Sequence, residues 1–144
     1  MRVSGRAAGL ILLIALLCGC SQKAAATEDL IQALSEAHSA IASSILGIEL
    51  YDQQRSTRAV TETLLGDMAE QIVDAERALE PVGIDSQQTE AERDAALAAV
   101  HAGVAAVLTS RDQLEEHGAV DSTADLESAG HEVDGLLDEL RRSQ

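Results

Sequence analysis

The chain has 144 residues, 25 of them acidic and 10 basic, for a formal net charge of −15, and it contains one Tyr but no Phe or Trp. Such a surface repels nucleic acid and anionic lipid headgroups. The lack of rings excludes base stacking, aromatic cages and aromatic carbohydrate platforms as binding modes.

At the N-terminus, Arg2 and Arg6 form a positive n-region and Ala7 to Leu17 form an apolar stretch. This is the architecture of a signal peptide. Eleven helical residues reach about 16 Å, roughly half of the ~30 Å hydrocarbon core, so the stretch is too short to span a bilayer and reads as a transient export segment.

Leu17-Cys18-Gly19-Cys20 follows directly. It resembles the lipobox of bacterial lipoproteins, in which an apolar and a small residue precede an invariant cysteine. An ordinary signal peptide needs small residues at its cleavage site but no cysteine after them. The resemblance implies that Cys20 becomes an S-diacylglyceryl cysteine and, after cleavage, the new N-terminus. Two or more acyl chains of the palmitate kind then give stable anchoring. Cys18 fits less well, because bulky Leu17 would precede the cut. The other reading is ordinary cleavage that leaves Cys20 as a free or disulfide-bonded thiol. Either way the mature chain has no cysteine pair, and so no internal disulfide, although its compartment is oxidising.

The expected organisation is a lipoprotein signal peptide over 1–19, a lipidated tether over 20–27 and one helical domain over 28–144. About 125 mature residues suit a single compact domain. Arg2 and Arg6 leave with the signal, so eight basic residues face 25 acidic ones, a net charge of −17.

Cys20 to Thr27 is small and polar without apolar periodicity. The first helix is expected from about Glu28, capped by Thr27, to about Gln53, with Ile31, Leu34, His38, Ile41, Ile45 and Ile48 on one stripe. Asp52-Gln53-Gln54-Arg55 contains neither Gly nor Pro. A break is nevertheless expected there, because a helix from Glu28 to Leu79 would run about 78 Å and leave its stripe without an intramolecular partner.

The second helix is expected to be capped by Ser56 or Thr57, to bury Leu65, Met68, Ile72, Ala75 and Leu79, and to end before Pro81 and Gly83. The third starts near Asp85 to Thr89, where Thr89-x-x-Glu92 has capping-box form, and buries Leu97, Val100, Val104, Val107 and Leu114 before His117-Gly118 closes it. Beside that stripe, Ala91, Ala95, Ala98, Ala102 and Ala105 suggest a face for close helix approach. The fourth is capped by Asp121 or Ser122 and buries Leu126, Ala129, Val133, Leu136 and Leu140, with Arg141 and Arg142 at its favourable end. These four helices predict an all-α, antiparallel up-down-up-down bundle. Interior glycines at 47, 66, 103, 130 and 135 each cost about 1 kcal/mol relative to alanine, and mark either close crossings or mobile helices.

The sequence contains no Glu-x-x-His pair for a di-iron bundle, no Cys-x-x-Cys-His for covalent haem, and no His-Glu-x-x-His, glycine-rich phosphate loop or Gly-x-Ser-x-Gly. It is therefore read as non-enzymatic. By height along the helices, His38, Met68 and His101 form one layer, a donor set suited to haem iron or copper(I). Against this stands the commoner role of Met as a core gap-filler and of His as a hydrogen-bonding group at a buried edge. His117 and His131 read as solvated. Glu115-Glu116 and the acids from Asp134 to Glu139 lack the twelve-residue calcium-loop pattern and read as solvated faces.

The stretch from Ser44 to Val82, with its Arg-x-Thr entry and Asp-Ala-x-x-x-Leu exit, resembles the paired helices of small uncharacterised exported actinobacterial proteins. The predominance of Arg over Lys and the abundance of Ala agree with a GC-rich genome of that kind. No activity follows from this resemblance. The expected function is that of a lipid-anchored accessory module at the cell envelope, with a protein partner, no nucleic acid and no cofactor beyond the lipid on Cys20. A small-ligand binder using His38, Met68 and His101 is the alternative. Ser21 permits outer-membrane sorting in a host with two membranes.

Overall fold

The computed structural model describes the backbone of residues 6–84 and 86–143, with side chains from residue 25 onward. Four helices follow one another: α1 (Arg6–Asp52), α2 (Arg58–Leu79), α3 (Gln87–His117) and α4 (Ala124–Arg142). They pack as an antiparallel bundle in which each contacts its neighbours in the chain and α4 returns to α1.

α1 departs from expectation at its start. Thr27 does not cap it; the helix runs unbroken through the expected tether. The sequence explains this: Cys20 to Thr27 holds three alanines and no Gly or Pro, so it costs little in helical form. Ala26 and Thr27 are also buried against the bundle. Arg2 and Asp85 lie outside the described residues.

The break between α1 and α2 forms as expected, by a device that no Gly announces. Gln54 adopts a left-handed φ of 58°. Its N–H donates to Tyr51 O and that of Arg55 to Leu50 O, both at 2.8 Å, closing a Schellman motif around a residue that is normally glycine. Thr57 then caps α2, its hydroxyl accepting from Val60 N.

The N-caps of α3 and α4 differ from their expected places, while Gly118 closes α3 where expected. Ser86, not Thr89, caps α3, and Thr89 occupies the third helical position, where its N–H donates to the Ser86 hydroxyl at 3.1 Å. Glu92 accepts from Gln88 instead of reaching back to a cap. Gly118 closes α3 in the left-handed conformation, φ 71°, with its N–H on Leu114 O. At α4, Ser122 Oγ accepts from Ala124 N, while Thr123 stands at the cap position and uses its hydroxyl on Glu127.

The core is aliphatic and the helices share it unequally. The backbones of α1 and α3 approach across the bundle, whereas among the described residues those of α2 and α4 stay more than 8 Å apart. The reason is side-chain size on α3, whose buried face includes Ala96, Ala99, Gly103, Ala106 and Ser110. A Cβ on Gly103 would come within 2.9 Å of Ile41 Cδ1, so a larger residue there would require the Ile41 side chain to shift. The expected close-packing face is thereby corrected: Ala91, Ala98, Ala102 and Ala105 are exposed. The deepest line of α1 is likewise Leu30, Leu34, Ala37, Ile41, Ser44 and Ile48, with Ile31, His38 and Ile45 on its flank. In α4, Leu137 is buried and Leu136 only half-buried. Ser44 and Ser110 satisfy their hydroxyls on Ala40 O and Ala106 O of their own helices, so both enter the core without an orphaned group.

Candidate functional site

The backbone at Cys20 is helical and continuous with α1, six residues before Ala26. The Cys20 side chain lies outside the described residues. Its role rests on the sequence around it.

The bundle displays the His/Met candidates on separate surfaces. His38 is half-buried and lines a groove of 230 Å³ between α1 and α4, beside Ile45, Gly130 and His131. Met68 is half-buried on α2 against the core. His101 is 76% exposed on α3, with Nδ1 3.4 Å from Glu76 Oε1 of α2. His38 thus opens on the α1–α4 seam and His101 on the opposite, α2–α3 seam. Counting along the helices gives the right height, since Ile41 meets Gly103, but not the angle around each helix. The groove beside His38 is open and lies below the ~300 Å³ at which small-ligand pockets begin. Among the described residues no three His, Cys, Asp or Glu side chains are grouped closely enough to hold a metal ion. His117, His131, Glu115, Glu116, Asp134, Asp138 and Glu139 are exposed.

The most connected polar cluster lies at the pole where α1 ends, a feature that sequence reading missed. Tyr51 donates its phenol to Gly118 O at 2.7 Å, tying the end of α1 to the end of α3. Arg58, in the first turn of α2, donates to the Glu115 carbonyl and to the Glu62 carboxylate. The hydrogen bond to Glu62 is the main reason the Arg58 guanidinium is raised above its ordinary value. A cation at the carbonyl end of α3 also suits the helix dipole there. This pole is therefore a cross-tied junction of three helices. The signal in the sequence was the one aromatic residue of the chain, placed seven residues before an arginine.

Apolar exposure is scattered. Leu46, Val60 and Leu108 are exposed, one on each of α1, α2 and α3, which is ordinary for a protein surface. A groove between α2 and α3 is lined by Val73, Val104 and Leu108, with Glu70, Asp74, Arg77 and Arg111 along its rims. No helix among the described residues is long and apolar enough to cross a membrane. No family model, curated protein or solved structure matches the chain.

Proposed function

We propose that the protein is a lipid-anchored helical bundle of the cell envelope, acting as a non-catalytic interaction or accessory module whose partner is a protein. The observation that carries this reading is Leu17-Cys18-Gly19-Cys20 directly behind an apolar segment too short to span a bilayer. The bundle is consistent with it: a small, strongly acidic body whose far pole is cross-tied through Tyr51 and Arg58. A surface of this charge steers association toward a basic partner.

Metabolic labelling with an alkyne fatty acid tests the anchor. The wild-type protein takes up label and Cys20→Ala does not; equal labelling of both would contradict the assignment. Crosslinking in intact membranes, followed by mass spectrometry, tests the module reading. A recurrent stoichiometric protein partner is the expected outcome, and capture of the chain only by itself would contradict it.

A further inference from the structure

The packing of α1 sets how an anchored bundle would meet its membrane. Gly47 lies against Leu64 of α2, and Ile41 lies against the positions of Gly103 on α3 and Gly130 on α4. Counting outward from these contacts, along antiparallel α2 and α4 and parallel α3, Leu79, Ala91 and Leu140 fall level with residues 29–32 of α1. The bundle therefore ends near Ala26. Cys20 stands six residues further along the same uninterrupted helix, about 9 Å in axial rise. The headgroup layer on each side of a bilayer is about 5–8 Å thick. An acylated sulfur at the base of that layer brings this pole of the bundle to the headgroups, on a helical stalk instead of a floppy linker.

At this pole lies the α2–α3 connection, where Ile84 is 48% exposed. Exposed Arg141 and Arg142 end α4 at the same level. Exposed Glu28, Asp29, Glu80 and Glu90 lie around them. The acidic residues offset the arginines, so attraction to anionic lipid is not what would hold the contact. The acyl anchor and the insertion of an aliphatic side chain would.

We propose that the α2–α3 loop is a membrane-contact element: Ile84 enters the headgroup region of the bilayer that holds the anchor, and the Tyr51–Gly118 pole points away from it toward the partner. The proposal rests on acylation of Cys20. It assigns the bundle one orientation and leaves its far pole and the sides of the helices as the accessible surfaces.

The test uses full-length, lipidated protein in phosphatidylcholine vesicles. Cys18 leaves with the signal peptide and Cys20 is acylated, so Gly83→Cys and Asp121→Cys each introduce one free thiol for an environment-sensitive fluorophore. Both sites are exposed, and a Cβ at Gly83 meets nothing within 4 Å. Spin-labelled lipid should quench the probe at position 83 several-fold more than the probe at 121. Adding Ile84→Asp should reduce that quenching. Protein that floats with the vesicles but shows equal or no quenching at the two sites overturns the orientation alone. Protein that does not float overturns the anchor, and the proposal with it.

Discussion

Gln54 and the helical glycines show at single-residue scale where this chain carries strain and where it has slack. Gln54 holds a left-handed backbone conformation that costs a non-glycine residue about 1–2 kcal/mol. Gln54→Gly should therefore stabilise the fold by about 1 kcal/mol, read as a higher urea midpoint at unchanged m-value. The glycines divide by what a Cβ would meet. Gly66 and Gly135 face open space, whereas Gly103 faces Ile41 at 2.9 Å inside the core. Gly66→Ala and Gly135→Ala should each gain about 1 kcal/mol in helix propensity. Gly103→Val should lose about 1–3 kcal/mol, because Ile41 is fully packed and must move. Thermal denaturation of the three variants separates glycine kept for close approach from glycine that merely loosens a helix.

The helices themselves were legible because their stripes recur at three and four residues, and because Pro81, Gly83 and Gly118 stop two of them. What periodicity does not resolve is the centre of a stripe in a chain so rich in alanine. On α3 the larger residues Leu97 and Val104 flank the core while Ala96, Ala99 and Gly103 enter it. Hydrophobicity ranks these positions the wrong way; the close crossing with α1 decides in favour of the smaller ones. On α4 the same ambiguity separates Leu136 from Leu137, adjacent leucines of which the helix angle buries only one. The N-cap of α3 was ambiguous for a different reason. Ser86 and Thr89 both carry a hydroxyl suited to an N-cap, and the nearer partner, the Thr89 N–H, selects Ser86. Ser86→Ala should cost about 1 kcal/mol, measured by chemical denaturation. The break after Asp52 was legible only from the length of an unpartnered stripe, since Gln54 stands where the local grammar calls for glycine.

Across the molecule, the dominant physical feature is its acidic charge. The chain carries 10 basic residues against 25 acidic ones, and among the described residues ion pairs such as Arg58–Glu62 and Arg77–Asp74 offset part of that charge. Self-repulsion of this kind opposes the compact state and is screened over about 10 Å at 0.1 M salt. The melting temperature should therefore rise between 10 mM and 0.3 M sodium chloride, and a flat or falling trend would show that the surface charge does not burden folding. His38, Met68 and His101, the alternative donor set, share a height but not a face, because a linear count supplies height along a bundle but not azimuth. The Cys20 side chain lies outside the described residues, and its reading depends on the motif around it. The most direct measurement is membrane fractionation of the wild-type chain beside Cys20→Ala in the host that makes it. The wild type should sediment with membranes and resist extraction by high salt and carbonate, while Cys20→Ala no longer does so; equal membrane retention of the two would contradict the lipid anchor.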